Sequence, residues 1–184
     1  MVSPTKLDTW QDCRMRYRLQ YLDKRRVDGS WAHLSLGNAV HSALRDWFDL
    51  EDAQRTPAAA GALVDRHWSR LGFRDDDQSA RWQTNAARMV ERYCTQHPAA
   101  VPFGRERSLA ALGEHVAVNG RIDRLDEAAD PAEPGELIVI DYKTGRRVPT
   151  DDDARVSRAL AVYAVIVQRS LRRPAFVVQL HHVP

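Results

Sequence analysis

The feature that most constrains the fold is a short apolar run, Leu137 to Ile140, which ends in Asp141-Tyr142-Lys143. Its length and its branched side chains predict a buried β-strand. Because residues i and i+2 of a strand face the same way, Asp141 and Lys143 point together, and Tyr142 points to the opposite face. A strand suited to the core therefore ends in a carboxylate and an ammonium group on one side.

Composition sets broad limits on the class of protein. A chain of 184 residues can bury a substantial core, and we expect one domain over residues 1–184. A net charge of +2 does not by itself indicate a nucleic-acid partner. No apolar run approaches the length of a membrane span, and the N-terminus lacks a signal-peptide pattern. Cys13 and Cys94 form no CxxC pair or disulfide framework, so we expect a cytoplasmic protein without a membrane anchor.

The first half of the chain, to about residue 98, has helical periodicity. Apolar residues recur at helical spacing from about Leu36 to Leu50. Thr56-Pro57 is typical of a helix start, and a later helix is expected to end at Pro98. All five tryptophans lie in this half, and most of them are expected to anchor the core.

The second half, from about residue 99, contains short runs rich in Val and Ile that predict strands. Asn119-Gly120 is either a tight hairpin turn or part of a long bent strand. The segment after Asp151 predicts one helix, and the last residues predict another strand. The apolar stripe of that helix comprises Val156, Leu160, Tyr163, Ala164 and Val167. The chain is therefore predicted to form a mixed α/β fold.

A second acidic residue, Asp123, indicates what Asp141 at the end of the strand at residues 137–140 could bind. In GRIDRLDE, Asp123 follows an isoleucine on a strand-like run and is flanked by Arg121 and Arg124. If the two strands are neighbours, Asp123 and Asp141 converge and form a site for a hard divalent cation. Such a site suits phosphodiester hydrolysis. An isolated D-x-K is more often a surface ion pair at a strand end.

GRIDRLDE and LIVIDYKTG together resemble the PD-(D/E)XK nuclease superfamily, specifically its RecB-like branch. The N-terminal SPTKLDTWQDCRMRYRLQYL resembles that branch's opening, and LGNAVHSALRDWF resembles its G-x-x-x-H helix, here Gly37 to His41. These four motifs occur in the expected order over nearly the whole chain. The resemblance implies a restriction-endonuclease-like central mixed β-sheet flanked by helices, with a helical N-terminal half.

The resemblance also implies roles for individual residues. Asp123 and Asp141 would be metal ligands, joined by the backbone carbonyl of Tyr142, and Lys143 would be the catalytic lysine. His41 would be the additional ligand typical of this branch, since Gly37 leaves room for close approach of its helix. The alternative for His41 is a helix histidine that is satisfied within the core.

Two further positions match the family less completely. Glu106 corresponds to an acidic position that often precedes the Asp123 strand, and the alternative is an ordinary surface carboxylate. Tyr163 stands where the family has a Q-L-x-x-Y helix motif, but Ala159 occupies the glutamine position. The alternative for Tyr163 is a core residue on the apolar stripe.

Many relatives hold an iron–sulfur cluster with one N-terminal cysteine and three cysteines near the C-terminus. Cys13 occupies the first of these places, but no cysteine follows Cys94. We therefore expect no iron–sulfur cluster, and we expect Cys13 to be a buried packing residue. Because the sequence stops at Pro184 directly after a strand, the protein is either a cluster-free form or a shortened one.

Basic and aromatic residues near these motifs predict contacts with DNA. Arginines give salt-sensitive affinity for phosphates without sequence selectivity, and aromatic rings stack on unpaired bases. Taken individually, each arginine is better explained as a solvated surface charge, and the prediction depends on their grouping around one proposed site. The predicted DNA-binding residues are Arg14, Tyr17, Arg18, Arg121, Arg124, Arg146 and Arg147, with Arg16, Lys24, Arg25, Arg26, Tyr21 and Trp31 nearby.

The resulting hypothesis is an Mg²⁺- or Mn²⁺-dependent deoxyribonuclease, an exonuclease that acts near DNA ends in repair or recombination. The family context adds a helicase or another repair protein as a partner. One alternative is a catalytically inactive nucleic-acid-binding or scaffold module of a helicase-nuclease assembly. The other is a metal-free sugar hydrolase that uses two carboxylates.

Overall fold

The computed structural model of the chain describes residues 1–25, 31–97, 102–130 and 132–184. Pro98, the predicted end of a helix, and Arg26, a predicted neighbour of the DNA contacts, lie outside these ranges. The helices are α1 (Pro4–Asp12), α2 (Arg14–Tyr17), a π-helical turn (Arg18–Leu22), α3 (Ala32–Trp47), a 3₁₀ turn (Asp52–Gln54), α4 (Pro57–His67), α5 (Asp76–Gln96), α6 (Asp151–Arg155) and α7 (Arg158–Leu171).

Side-chain caps explain where several helices begin. Ser3 accepts a hydrogen bond from the Lys6 amide at 3.3 Å, and Thr56 accepts one from the Ala59 amide at 3.1 Å. Each cap is followed by proline at the first helical position, where a missing N–H costs nothing. Asp75 caps α5 by accepting from the Gln78 amide at 2.7 Å.

The four strands are β1 (Gly104–Leu112), β2 (Ala117–Glu127), β3 (Leu137–Lys143) and β4 (Val177–His182), in the spatial order β1-β2-β3-β4. β1, β2 and β3 are antiparallel neighbours. β4 runs parallel to β3, because the Leu137 amide donates to the Pro174 carbonyl and the Val183 amide donates to the Lys143 carbonyl. The sheet is therefore mixed, and the predicted α/β fold with a helical N-terminal half is confirmed.

Gly120 lies inside β2, so the bent-strand alternative is the one observed. The β1–β2 turn is closed instead by the Gly113 amide, which donates to the Val116 carbonyl at 2.8 Å. A β-carbon on Gly120 would lie 2.5 Å from Cε1 of Tyr163. Glycine is therefore needed here for the close approach of α7 to the sheet.

The chain divides into two compact units. The sheet unit comprises Met1–Asp28, Phe103–Asp141 and Thr150–Leu180. The helical unit comprises Gly29–Pro102, Tyr142–Pro149 and His181–Pro184. Both units are assembled from separated stretches of the chain.

Each unit has its own buried apolar residues. In the sheet unit, strands and α7 share a cluster made of Ile122, Leu125, Leu137, Val139, Leu160, Val167 and Ala175. In the helical unit, α3, α4 and α5 bury Val40, Leu44, Trp47, Val64, Val90 and Tyr93. Full burial of one such side chain contributes roughly 1.5–3 kcal/mol, so these faces hold the helices against one another. No helix among the described residues is long and apolar enough to cross a membrane.

Two predictions about helices and tryptophans are wrong. The single helix expected after Asp151 is split, because Ser157 caps α7 by accepting from the Leu160 amide at 3.3 Å. Val156, assigned to the apolar stripe, lies in the break and is 78% exposed. Of the five tryptophans, only Trp47 is buried; its ring N–H donates to the Thr56 carbonyl at 3.1 Å. Indole rings with a polar N–H tolerate the partly exposed positions of the others.

Candidate functional site

Three carboxylates occupy one row across the strands of the sheet unit. The β2–β3 ladder ends at the pair Arg124–Ile140, so Asp123 and Asp141 are the next opposed positions, just beyond the last paired residues. On the other side of β2, the register places Glu106 opposite Asp123, at a gap in the β1–β2 ladder. The convergence of Asp123 and Asp141 expected from the sequence therefore follows from the strand register. We call Glu106, Asp123 and Asp141 the carboxylate row.

The carboxylate row is largely withdrawn from solvent. Asp123 and Asp141 are each 8% exposed, and the Glu106 side chain is 11% exposed. Carboxylate oxygens of Glu106 and Asp123 lie within 4.8 Å of each other. Carboxylates that are this close and this little exposed repel one another unless they share a proton or a cation. All three offer the hard oxygen ligands that Mg²⁺ and Mn²⁺ prefer, so the donor set fits such a cation.

Glu106 is held in an unusual backbone conformation. Its φ is +45°, in the left-handed region that residues with a β-carbon rarely adopt. Such a conformation costs on the order of 1–3 kcal/mol and persists only where neighbouring contacts enforce it. One such contact is the ion pair between Glu106 Oε2 and Arg121 Nε at 2.9 Å. The surface-carboxylate alternative for Glu106 does not describe this strained position, in which only 11% of the side chain is exposed.

Tyr163 lies beside the carboxylate row. Burial raises the pKa of its phenol to about 12, and the negative charges of Asp141 and Asp123 add to that increase, while Arg121 opposes it. The phenol is therefore neutral at ordinary pH and retains its O–H as a hydrogen-bond donor. Tyr163 also packs against the buried cluster of the sheet unit, so it borders both the core and the acidic residues.

In the helical unit, α3 lies against the end of β3. The His41 ring meets the Tyr142 ring edge-on, with centroids 5.6 Å apart, and Tyr142 is 4% exposed. A β-carbon on Gly37 would lie 3.6 Å from Thr144 Oγ1, an ordinary contact distance, so the approach of α3 does not require glycine. Lys143 is exposed and its carbonyl accepts from the Val183 amide at 2.9 Å. His41 therefore packs on the residue that directly follows Asp141.

Several predicted DNA contacts already have partners within the sheet unit. Arg14 lies over the Trp10 ring, 4.9 Å from its centroid, and Arg18 Nε lies 3.5 Å from Asp23. Tyr17 packs against Tyr21 at a centroid distance of 5.1 Å. These partners reduce the charge and ring surface that this segment offers to a ligand.

Arg124 does not flank an open surface. It is 5% exposed and donates through Nε and Nη2 to the two carboxylate oxygens of Asp126, at 2.7 and 2.6 Å. Buried bidentate pairs of this kind hold the guanidinium in place, so we leave Arg124 out of the DNA contacts proposed below. Arg146 and Arg147 are both exposed in the loop after β3.

The expected burial of Cys13 is wrong. Cys13 is exposed and stands at the start of α2, where its sulfur accepts from the Arg16 amide at 3.4 Å. A capping side chain must face the open end of its helix, which is why this thiol does not pack into a core. Cys94, on α5, is the buried cysteine.

The helical unit also contains a groove that the sequence did not reveal, with a volume of about 400 Å³. It is lined by α5, the loop after β3 and the end of the chain: Trp82, Asn85, Arg88, Met89, Arg92, Thr144, Gly145, Arg146, His182, Val183 and Pro184. A spacing signal was present, since positions 82, 85, 89 and 92 share one helical face. Its other walls come from distant parts of the sequence.

Comparison with known proteins gives one family. The PD-(D/E)XK nuclease superfamily matches residues 1–182, which covers the helical half and all four strands. No curated protein matches the chain.

Proposed function

The chain belongs to the PD-(D/E)XK nuclease superfamily, and on that premise we propose that it is a DNA exonuclease of the RecB-like branch. Membership supports a metal-dependent nuclease that hydrolyses phosphodiester bonds. The observation that carries the proposal is the carboxylate row, which stands where β3 continues into Tyr142 and Lys143. We further propose that it acts near DNA ends in repair or recombination, with a helicase or another repair protein as partner. This part of the proposal rests on the resemblance of the N-terminal motifs to the RecB-like branch.

Glu106, Asp123 and Asp141 are the proposed carboxylate ligands. The resemblance adds His41 and the Tyr142 carbonyl, and the contact between the His41 and Tyr142 rings supports a fixed orientation of this histidine. A divalent cation bound there would neutralise charge that develops on the phosphate and promote attack at phosphorus. Arg121 fixes the Glu106 carboxylate through their ion pair.

Lys143 is the proposed catalytic lysine. It lies two residues after Asp141 on β3, and its exposed ammonium group can donate to a phosphate oxygen or orient a water molecule. Tyr163, with its neutral phenol beside Asp123 and Asp141, is a second proposed hydrogen-bond donor. The phosphate contacts predicted from the sequence stay predictions for Arg14, Arg18, Arg146 and Arg147. The same holds for stacking of a base on Tyr17.

The alternative is a nucleic-acid-binding or scaffold module of a helicase-nuclease assembly that lacks turnover. Ala159, in the position of the family's glutamine, favours it. The retention of Lys143 and of two buried carboxylates, Asp123 and Asp141, argues against it, because buried acids are costly to keep without a cation to bind. Superfamily membership also argues against the metal-free sugar hydrolase.

The test is a cleavage assay on end-labelled single- and double-stranded DNA with EDTA, Mg²⁺ or Mn²⁺. The wild type is compared with Asp141→Ala and with Asp77→Ala, which removes an exposed acid from the first turn of α5. We expect metal-dependent cleavage that Asp141→Ala loses and Asp77→Ala keeps, and a product ladder that starts at the DNA end. DNA binding without cleavage under every condition would favour the inactive module instead.

A further inference from the structure

The groove of the helical unit is lined by cations that are not neutralised. Arg88 and Arg146 are exposed, and neither forms an ion pair with any residue in the part of the chain that the structure describes. Arg92, also at the groove, already has a partner, because it donates to a terminal oxygen of Pro184 at 2.6 Å. Among the described lining residues, none has an acidic side chain. Two guanidinium groups without an ion-pair partner in the described ranges, Arg88 and Arg146, attract a polyanion.

The floor of the groove is a stripe along α5. Trp82 and Met89, seven positions apart, lie on the same helical face as Arg92 and are half-buried. An indole ring and a thioether form an apolar surface on which the flat face of a base can stack. The groove thus combines a stacking surface with cations at its edges.

The remaining wall is fixed to the end of β3. His182 donates through Nε2 to the Gly145 carbonyl at 2.8 Å, and the Val183 amide donates to the Lys143 carbonyl at 2.9 Å. Arg146 is three residues beyond Lys143, so the chain places it at most about 11 Å away, a length of roughly three stacked nucleotides at 3.4 Å each. A strand held in the groove would therefore pass close to the proposed catalytic lysine.

We propose that this groove binds a single strand of DNA, with its phosphates on Arg88 and Arg146 and an unpaired base on Trp82. The inference rests on the proposed function for the identity of the nucleic acid, and it adds that the bound strand is unpaired. Stacking on Trp82 requires an exposed base face, which a base within a duplex does not offer. The arginines bind the backbone of any sequence, so binding is not sequence-selective.

The test measures binding rather than cleavage, in EDTA, by fluorescence anisotropy of a labelled oligothymidylate of about 20 nucleotides. The double variant Arg88→Ala/Arg146→Ala is compared with Arg70→Ala/Arg81→Ala, which removes two exposed arginines of the same unit outside the groove. We expect the groove variant to bind about tenfold more weakly or worse, with the salt slope reduced by about 1.4. Equal affinities of the two double variants would overturn the proposal.

Trp82 provides a second readout that does not depend on charge. Oligothymidylate should quench tryptophan fluorescence in the wild type, and Trp82→Phe should lose that quenching, whereas a blunt duplex should leave it unchanged. Quenching that persists in Trp82→Phe would contradict stacking at this residue. If cleavage fails but groove-dependent binding is found, only the proposed nuclease function is lost. If cleavage is found but the groove variant binds like its control, only the groove proposal is lost.

Discussion

The carboxylate row of the sheet unit and the groove of the helical unit differ in charge, in burial and in whether their charged side chains form ion pairs. The row is acidic and nearly closed to solvent, and Glu106 is fixed by an ion pair and a strained backbone. The groove is basic and open, and Arg88 and Arg146 form no ion pair with any described residue. The contrast fits the division of roles that we propose, in which the row serves the chemistry and the groove binds the strand.

The largest expected effect is on cleavage, from a substitution in the carboxylate row that should leave DNA binding intact. Asp123→Asn removes one charge from the row while keeping its shape, so cleavage should fall by roughly 10³-fold or more. Affinity for single-stranded DNA in EDTA should stay the same or rise, because a negative charge is lost. Cleavage rates and anisotropy titrations on the same preparation measure both. A variant that lost DNA affinity in parallel with cleavage would break the proposed division.

The next effect concerns Lys143, which belongs to the helical unit but is proposed to act in the chemistry. Lys143→Met keeps most of the aliphatic length and removes the ammonium group, and cleavage should fall by about 10²–10³-fold. Calorimetric titration with Mn²⁺ should give unchanged binding, since Lys143 offers no ligand to a cation. Loss of Mn²⁺ binding in this variant would show that Lys143 has a structural role instead.

A third comparison sets the groove against the N-terminal arginines. Arg14→Ala/Arg18→Ala should weaken binding of single-stranded DNA by less than about threefold, since both side chains have partners in Trp10 and Asp23. The groove double variant, with the same loss of charge, should weaken it at least about tenfold. Salt titrations of both variants measure the difference. A larger effect of the N-terminal pair would place the main binding surface there.

Two glycines test the packing of each unit. Gly120→Ala would bring a β-carbon within 2.5 Å of the Tyr163 ring, so it should lower the free energy of unfolding by about 1–3 kcal/mol. Gly37→Ala in α3 meets only Thr144 Oγ1 at 3.6 Å, so it should stabilise the helix by up to about 1 kcal/mol. Urea unfolding of both variants measures this, and a destabilised Gly37→Ala would show that α3 needs the closer approach.

The smallest effect concerns an acid outside both sites. Asp46 on α3 accepts from His67 Nε2 at 2.6 Å and from Arg45. Burial raises its pKa, but these hydrogen bonds outweigh burial and leave it lowered. Its stabilising effect is therefore present above the unfolded pKa and disappears as pH falls through the folded one.

Asp46→Asn should accordingly reduce stability by about 1 kcal/mol near pH 7. The difference from the wild type should vanish in acid, and single-strand binding should not change. Urea unfolding at a series of pH values measures this dependence. A difference that persisted in acid would show that the loss comes from packing rather than from charge.

The sequence predicted the elements whose signals are local. The β3 run, the D-x-K at its end and the helix start at Thr56-Pro57 are set by neighbouring residues, and the structure contains them. Asp123 could be predicted as a partner of Asp141 because it also lies on a strand-like run, in GRIDRLDE. That residues 1–184 act as one domain stays a prediction.

The parts that the sequence did not predict depend on contacts between distant residues. The burial of Arg124 requires Asp126 in the right rotamer, and Gly120 is explained only by the Tyr163 ring above it. The groove combines α5 with the loop after β3 and the end of β4, so no single segment reveals it. Arg14 and Arg18, which lie close in sequence, have partners in Trp10 and Asp23, whereas Arg88 joins Arg146 only in the fold.

The most direct test of the account is single-turnover cleavage of end-labelled single-stranded DNA at enzyme concentrations that saturate the DNA. Wild type and Asp123→Asn are compared in EDTA, Mg²⁺ and Mn²⁺. We predict that the wild type cleaves only with a divalent cation, and that Asp123→Asn binds all of the DNA and leaves it intact. Cleavage by the wild type in EDTA, or cleavage by Asp123→Asn at the wild-type rate, would contradict the assignment of the carboxylate row.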